Sequence, residues 1–271
     1  LSWTWPLSSS GTAMSEFPSF YEFFSALWTS RADEPVAPFP WQRRLAQAAL
    51  AGSWPHVIHL PTAAGKTSVI DIWIWALAAG AVGHGHRQPR RLFFVIDRRI
   101  VVDSVFERAH FIAEALQENE AAAIHGVASA LLELGGRQPL LAARLRGGLE
   151  IDRAWAEDLA QPLVCATTVD QAGSRLLFRA YGLPQRRGNS LPIHAALVGN
   201  DALVAVDEAH LAVPFTETLA TVAQLRDVAE EDLCLPWHCL RMTATPGPGG
   251  EDVFSLQAED EVPARAGVNR G

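Results

Sequence analysis

The stretch that most constrains the fold is residues 60–67, which read Leu-Pro-Thr-Ala-Ala-Gly-Lys-Thr. A short, β-branched apolar run at 57–60 precedes it and predicts a buried parallel strand, while the long apolar run at 68–77 predicts a buried helix. A strand, this loop and a helix in that order indicate a phosphate-binding loop, with backbone N–H groups and a helix N-terminus facing negative charge. The residues predicted to cradle a nucleotide are Thr62, Ala63, Ala64, Gly65, Lys66 and Thr67.

Two features of this loop bear on its chemistry. The longer form of the motif has glycine five residues before Gly65, where this chain has Leu60, so the match is to the shorter Gly-Lys-Thr form. Lys66 is the only lysine, whereas the other 21 basic residues are arginine, which suggests a site that needs a compact ammonium group. We expect Lys66 to reach the β- and γ-phosphates of ATP and the Thr67 hydroxyl to bind Mg²⁺. A chance Gly-Lys-Thr is the alternative, which the flanking strand and helix disfavour.

Alternating apolar strands and helices predict an α/β fold, a parallel sheet with helices on both faces. At 271 residues and 49% hydrophobic content, the chain can form one large domain or two small ones with a sizeable core. Residues 119–136 are weakly patterned. Further strands are predicted at 91–97, 139–148, 163–168, 202–206 and 238–242, and helices at 100–117, 170–181 and 214–231.

The chain divides into four predicted segments. Residues 1–13 read as a non-native or disordered leader before Met14, and residues 14–38 as an aromatic helical segment that packs on the core. Residues 39–250 form the nucleotide-binding lobe. Residues 251–271, rich in Gly, Pro and acidic residues after a short apolar run, are expected to be a mostly disordered tail.

Composition restricts the environment of the chain. Three cysteines without a Cys-x-x-Cys pair favour a reducing cytoplasm over a disulfide framework. The most apolar run, 72–82, is too short to span a membrane, so we expect a cytoplasmic protein without membrane contact. The net charge of −8 means that any nucleic-acid surface must be a local cluster of arginines.

A pair of acids supplies the second half of the predicted site. Asp207 and Glu208 follow the apolar run 202–206, where Asp207 can hold Mg²⁺ and Glu208 can orient and deprotonate the attacking water. His210 is predicted to couple the nucleotide to a neighbouring motif. The hydroxyls of Thr243 and Thr245 are expected to lie beside Asp207 and to bond His210 or the acids. The predicted catalytic set is Lys66, Asp207, Glu208 and His210.

Two further sets of residues are candidates for binding. Gln42 opens a helix just before the phosphate loop and is a candidate to bond the adenine edge, with Phe39 or Trp41 stacking on the base, although it can equally be a solvated side chain. Arginines and hydroxyls follow the predicted strands, where a nucleic-acid backbone can be bound, although a solvated arginine face is the alternative. The nucleic-acid candidates are Arg98, Arg99, Arg146, Thr167, Thr168, Gln171 and Arg175.

The ordered set of motifs resembles the superfamily 2 helicases of the DEAH type, through Gln42, Pro-Thr-Ala-Ala-Gly-Lys-Thr, Asp-Glu-Ala-His at 207–210 and Thr-Ala-Thr at 243–245. Residues 95–103, 171–182 and 207–211 are similar to the helicase–nuclease of type I CRISPR systems, subtype U or G. The resemblance covers about residues 39–256. It implies a RecA-like first lobe of three layers in the P-loop NTPase class, ATP with Mg²⁺, single-stranded DNA and recruitment by a CRISPR surveillance complex.

The chain departs from that family in two respects. No His-Asp dipeptide occurs, so the HD nuclease is expected to be a separate part, and only 26 residues follow Thr245, too few for a second lobe. The resemblance therefore implies a fragment or one part of a split gene, completed in cis or in trans, with residues 251–271 as the start of a linker. Since the second lobe supplies arginine fingers, we expect low ATPase activity from this chain alone. A non-catalytic nucleotide-dependent DNA- or partner-binding remnant, an RNA helicase and a restriction-type translocase stay open as alternatives.

Overall fold

The computed structural model describes residues 17–32, 34–147, 154–181, 190–245 and 252–260. A seven-stranded sheet runs through it in the order β3-β4-β2-β5-β6-β1-β7, and every pairing between neighbouring strands is parallel. The predicted α/β class is confirmed. The strands are β1 (Val57–His59), β2 (Arg91–Ile96), β3 (Leu141–Leu145), β4 (Leu163–Thr168), β5 (Ala202–Val206), β6 (Trp237–Thr243) and β7 (Val253–Ser255).

Helices cover both faces of the sheet and give the fold three layers. Strands β2, β4 and β5 are buried along their whole length, as expected of parallel strands that pack against helices on both sides. Helices α1 to α5 pack on one apolar cluster and α6 to α8 on the other. The helices are α1 (Phe20–Thr29), α2 (Pro40–Leu50), α3 (Val69–Ala81), α4 (Arg99–Glu118), α5 (Ala122–Leu132), α6 (Val169–Leu176), α7 (Leu191–Gly199) and α8 (Val213–Asp227).

The helix that follows the phosphate loop is the centre of the larger cluster. Every residue of α3 from Val69 to Ala79 is buried, which explains why its sequence is apolar on all sides. The polar atom of Trp73 is satisfied, because its indole N–H donates to the carbonyl of Pro89 at 2.9 Å. A helix packed on all sides holds the loop at its N-terminus in a fixed position relative to the sheet.

One carboxylate ties the N-terminal helix to this core. Asp71 on α3 is fully buried and accepts hydrogen bonds from the indole N–H of Trp28 at 2.6 Å and from Nε of Arg108 at 2.9 Å. The guanidinium of Arg108 also lies over the Trp28 ring, 4.1 Å from its centroid. Burial raises the pKa of Asp71, and the charge of Arg108 opposes that rise. The segment predicted to pack on the core does so through this polar contact as well as through its aromatic face.

Two helices were not predicted, and two are shorter than predicted, since α8 ends at Asp227 instead of 231. Helix α5 lies within the weakly patterned region, where Ile124, Val127 and Leu131 face the core but alanine and glycine between them weaken the period. Helix α7 was also missed. Helix α6 ends at Leu176 instead of 181, because the carbonyl of Ser174 accepts from the backbone N–H groups of residues 179 and 180 and turns the chain away.

The sheet extends past the boundary predicted at residue 250. Strand β7 pairs with β1, placing Val253 opposite Val57. Arg44 of α2 holds this strand in place: it donates to the carbonyl of Ser255 at 3.0 Å, forms an ion pair with Asp260 and lies over the ring of Phe254. The expectation of a tail from residue 251 is therefore corrected for residues 252–260. Within the described ranges, no helix combines the length and apolarity needed to cross a bilayer.

Replacing Asp71 with alanine should destabilise the protein by about 3 kcal/mol, because the Arg108 guanidinium and the Trp28 N–H lose their shared acceptor. Chemical denaturation measures the change in the free energy of unfolding. The double variant Asp71→Leu, Arg108→Leu is the control, since removing both charges should cost less than Asp71→Ala alone. The coupling would be contradicted if the double variant lost as much free energy of unfolding as the Asp71→Leu and Arg108→Leu single variants lose together.

Candidate active site

The phosphate-loop residues turn sharply between β1 and α3. Gly65 has φ = 80°, a left-handed conformation that glycine adopts without strain, and its carbonyl accepts from the backbone N–H of Ser68 at 2.9 Å. Ala63 is left-handed too, with φ = 64°, although it has a Cβ. Such a conformation costs about 1–2 kcal/mol in a non-glycine residue and is typical of functional loops. Lys66 then opens a short 3₁₀ turn that continues into α3.

The side chain of Lys66 joins the two halves of the site. Its Nζ donates to the carbonyl of Leu60 at 3.3 Å and to Oε1 of Glu208 at 3.4 Å, although Lys66 and Glu208 are 142 positions apart. The residue is nearly buried. Both of these hydrogen bonds are long. The Lys66 ammonium can therefore exchange them for contacts with a more highly charged anion.

The acid pair sits where β5 ends. The backbone N–H of Asp207 donates to the carbonyl of Val95 on β2 at 2.9 Å, and its Oδ1 accepts from the backbone N–H of Glu208 at 3.0 Å. Burial raises the pKa of Asp207, the charge of Lys66 opposes that rise and the charge of Glu208 adds to it. Glu208 has φ = 47°, so a second strained residue lies in the same site as Ala63.

A chain of polar contacts connects the acids to the end of β6. Oε2 of Glu208 lies 3.5 Å from Nδ1 of His210, which in turn lies 3.3 Å from Oγ1 of Thr243. Thr243 Oγ1 also contacts Oγ1 of Thr245 at 3.0 Å and accepts from the backbone N–H of Thr245. The structure thus places His210, Thr243 and Thr245 together, and they connect to Lys66 through Glu208.

Gln42 is engaged at both ends of its amide within the chain. Its Oε1 accepts from the backbone N–H of Phe39 at 2.8 Å, and its Nε2 donates to Oγ of Ser68 at 2.8 Å, which itself donates to the carbonyl of Gly65. Trp41 is buried, whereas Phe39 is 41% exposed, so Phe39 is the aromatic residue available for stacking. Gln42 therefore links α2 to the phosphate loop, and contact with adenine stays a prediction.

These groups have the chemistry that a nucleotide with Mg²⁺ requires. The Asp207 carboxylate and the Thr67 hydroxyl are hard oxygen ligands, which Mg²⁺ prefers. Lys66 supplies the single ammonium, and the loop around Gly65 supplies backbone N–H groups at a helix N-terminus. Burial raises the pKa of Asp207, and a divalent cation beside it would favour the charged carboxylate, as the charge of Lys66 does.

The predicted nucleic-acid residues fall into two groups. Arg98 and Arg99 are exposed at the carboxyl end of β2. Arg146 follows β3 and donates from Nε to Oδ1 of Asp103 at 2.9 Å, so it is partly neutralised. These three arginines lie at the edge of the sheet at which β1 and β5 also end, because all the strands are parallel.

Three of the remaining four candidates lie in the interior, which corrects their predicted role on that surface, whereas Gln171 is half-buried. Thr167 and Arg175 are fully buried, and Thr168 is only 6% exposed. Thr168 caps α6 by accepting from the backbone N–H of Gln171, whose side-chain oxygen accepts from Nη1 of Arg175 at 2.6 Å. Arg175 lies on the apolar stripe of α6 beside Ala172 and Leu176, a spacing that would have indicated its burial.

Arg175 belongs to a buried polar cluster with Trp155 and His194. Its guanidinium lies 5.6 Å from the Trp155 ring centroid, and the Trp155 and His194 rings are 4.8 Å apart. Nε and Nη2 of Arg175, Nε1 of Trp155 and Nδ1 of His194 are buried without a hydrogen-bond partner. Burial, aided by the charge of Arg175, lowers the pKa of His194 to about 4.

Sequence reasoning missed two residues with roles at these sites. Ser68 bonds Gln42, and Asp103 pairs with Arg146. Ser68 directly follows the Gly-Lys-Thr motif, which is a signal for its position. Asp103 gave no such signal, since its partner is 43 residues away.

A second concave region lies away from the strand ends that carry the acids. A groove of about 470 Å³ separates α8 from β6 and is lined by His56, Arg226, Trp237 and Arg241 among others. The rings of His56 and His238 stack beside it, with their centroids 5.1 Å apart. Because open parallel sheets bind ligands at the carboxyl ends of their strands, the candidate active site is the loop cluster around Lys66 and not this groove.

Protonation of His194 should oppose folding. Its pKa is about 4 in the folded protein against 6.5 ordinarily, so the unfolded state binds the proton first and stability falls as the pH drops through that window. Between about pH 6.5 and about pH 4, we expect the free energy of unfolding to fall less steeply with decreasing pH in His194→Phe than in the parent. Urea unfolding across the window measures it, with exposed His125→Phe as the control. Parallel curves for parent and His194→Phe would contradict the prediction.

The sequence matches no protein-family profile and no curated protein. Among solved structures, the yeast DEAD-box splicing factor Prp28 has a similar fold, with a TM-score of 0.51 at 11% sequence identity. The similarity covers 84% of this chain and 45% of that protein, so this chain spans less than half of its length. At this identity the likeness concerns the fold alone, and the fold of this chain is a RecA-like α/β fold.

Proposed function

We propose that this chain is the ATP-binding lobe of a superfamily 2 helicase or translocase. The observation that carries the proposal is the contact between Lys66 and Glu208, which unites the Gly-Lys-Thr loop with the Asp-Glu-Ala-His segment. Two motifs so far apart in sequence, each with a strained left-handed residue, meet at the carboxyl end of a parallel sheet. The shared fold with Prp28 is consistent with the proposal.

The residues of the site have distinct roles in this proposal. Lys66 and the loop N–H groups bind the triphosphate, and Thr67 with Asp207 holds Mg²⁺, which when bound would neutralise phosphate charge. Glu208 orients and deprotonates the water that attacks the γ-phosphate. Binding of the triphosphate requires Lys66 to leave Glu208, which frees the carboxylate for its role as a base. His210 then transmits the change at Glu208 to Thr243 at the end of β6.

The partner proposed for the carboxyl edge is single-stranded DNA. Arg98 and Arg99 are exposed there, and neither has an ion-pair partner within the described residues. Guanidinium groups without a partner are available to phosphate oxygens, with counterion release as the driving force.

The motif sequences extend the proposal to the interference helicase of type I CRISPR systems. Residues 95–103 and 171–182 carry the similarity, and Arg98, Arg99 and Asp103 lie in the first of these runs. On this proposal a CRISPR surveillance complex recruits the lobe to a displaced DNA strand, and a second lobe and an HD nuclease act with it in cis or in trans. Co-purification with a type I surveillance complex bound to target DNA tests the recruitment. Equal retention by the same complex without target DNA would argue against it.

Lys66→Ala should weaken the binding of Mg·ATP at least tenfold, since it removes the only ammonium group at the phosphates. Isothermal titration calorimetry measures the affinity. Lys66→Arg keeps the charge but replaces a point charge with a planar fork, and it should not restore affinity.

Glu208→Gln is the matched control for the same titration. It also removes the Lys66–Glu208 ion pair, yet it leaves the phosphate contacts intact, so it should bind Mg·ATP at least as well as the parent and should not hydrolyse it. If Lys66→Ala bound the nucleotide as tightly as the parent, the phosphate-loop assignment would be wrong.

Binding of single-stranded DNA should weaken steeply with salt, and Arg98→Ala with Arg99→Ala should reduce both the affinity and the salt slope. Each lost phosphate contact lowers the slope of log K against log[salt] by about 0.7 for a single strand. Fluorescence anisotropy of a labelled oligonucleotide measures both quantities, and an RNA of the same sequence tests the choice of nucleic acid.

The control double variant removes two exposed arginines from the opposite edge of the sheet. Arg87 precedes β2 and Arg137 precedes β3, and both are exposed, so Arg87→Ala with Arg137→Ala makes the same change in net charge away from the proposed surface. Equal losses from the two double variants would mean that overall charge, and not the carboxyl edge, determines the affinity.

A further inference from the structure

Asp103 holds two arginines at the proposed nucleic-acid surface. It lies in the second turn of α4, and its Oδ1 accepts from Nη1 of Arg144 at 2.7 Å and from Nε of Arg146 at 2.9 Å. The side chain of Asp103 is 28% exposed, and those of Arg144 and Arg146 are 30% and 23% exposed. One carboxylate oxygen therefore serves two guanidinium groups in a place that water reaches.

A third arginine approaches the same place from the other side. A Cβ added to Gly147, next to Arg146, would lie 3.4 Å from Nη2 of Arg99, so the Arg99 guanidinium lies against the bare backbone there. Strand β4 lies between β2 and β3, so the loops that follow these two outer strands meet across its carboxyl end. Arg99 therefore packs within van der Waals distance of the residue that follows Arg146.

The described residues 97–107 and 144–147 hold four arginines and three acids. Asp97 and Glu107, the other acids of this segment, are exposed and form no ion pair within the described residues. Asp103 is thus the one carboxylate bonded to Arg144 or Arg146 in the part of the chain that the structure describes. An anion that has more than one oxygen and is presented from solvent could replace it.

We propose that Asp103 masks Arg144 and Arg146 in the free protein and that a phosphate of single-stranded DNA takes over at least the Arg146 guanidinium on binding. Asp103 occupies the acceptor position that a phosphate oxygen would otherwise fill, and its own charge repels the incoming phosphate within a Debye length of about 10 Å. Partly exposed ion pairs contribute little to stability, so this one can exchange. This inference rests on the proposed nucleic-acid function, and it assigns to Asp103 the role of limiting the affinity for single-stranded DNA.

The stacking of Arg144 explains why Arg146 is the arginine that leaves. The Arg144 guanidinium lies 4.7 Å from the ring centroid of Phe106, one turn after Asp103 on α4, and this contact holds it independently of the carboxylate. Arg146 has its ion pair with Asp103 and lies beyond the end of β3. When the Asp103 carboxylate is lost as a partner, the Arg146 guanidinium therefore becomes available to a phosphate, whereas Arg144 stays in place.

The test is the affinity for a labelled oligothymidylate, measured by anisotropy over a salt titration. Asp103→Asn keeps the shape of the side chain and removes its charge, so it should bind about three- to tenfold more tightly than the parent at moderate salt. The slope of log K against log[salt] should become steeper by up to about 0.7, because the charge of Asp103 no longer cancels the contribution of Arg146 at the phosphate that it contacts in both proteins. Asp103→Ser is a second neutral variant in case the first does not fold, and melting curves verify both.

Glu107→Gln is the matched control, since it removes the same charge four residues later on α4 from an exposed acid with no ion pair in the described structure. It should change the affinity less than twofold and leave the slope unchanged. Adding Arg146→Gln should cost little in the parent and should remove the whole gain in the Asp103→Asn background. If the effect of Arg146→Gln depends on the residue at position 103 in this way, Asp103 acts by masking Arg146 and not through the net charge of the protein.

The outcomes distinguish this inference from the function on which it rests. Weaker binding by folded Asp103→Asn would mean that the carboxylate positions the arginines, and an effect equal to that of Glu107→Gln would mean that it is one charge among many. Either result overturns the masking role while DNA binding through Arg98 and Arg99 stands. No binding by the parent or by any variant would overturn both the surface and the mask.

Discussion

The parallel direction of the strands is the constraint on which the candidate sites depend. Because β1, β6 and β5 are adjacent and point the same way, the segments that follow them emerge at one edge of the sheet. The phosphate loop, Thr243 and the acid pair are thereby placed side by side, with the end of β6 between the other two. The hydrogen bonds between Lys66 and Glu208 and between His210 and Thr243 follow from this order.

Charged groups in the interior are compensated to different degrees, and the differences separate structural roles from functional ones. Asp71 is buried but has both Arg108 and Trp28 as partners, as expected of a group that fixes the position of a helix. Asp207 and Lys66 have fewer and longer contacts, in a loop region that also contains two strained residues. Incomplete compensation together with backbone strain is typical of a site prepared for a ligand.

The surface beside the nucleotide site combines free and paired arginines. Arg98 and Arg99 have no ion-pair partner within the described ranges, whereas Arg144 and Arg146 share Asp103. Because the acid and the arginines lie on different elements, a small shift of α4 relative to β3 would change how much positive charge the surface offers. This arrangement makes the electrostatics of the edge depend on tertiary packing as well as on composition.

The sequence by itself determined the fold class, the phosphate loop and the acid pair, since these depend on local patterns. A continuous apolar run predicts a buried strand, and a loop between such a strand and a helix at Gly65 and Lys66 predicts phosphate binding wherever the strand lies in the sheet. Only the tertiary structure decided which candidates share a surface. Arg175 and Thr167 follow or end a strand just as Arg99 and Arg146 do, yet the packing of α6 against the sheet buries the first pair and leaves the second at the edge. The pairing of Asp103 with Arg146 and the strand at 253–255 likewise depend on contacts between residues far apart in sequence, which no local period encodes.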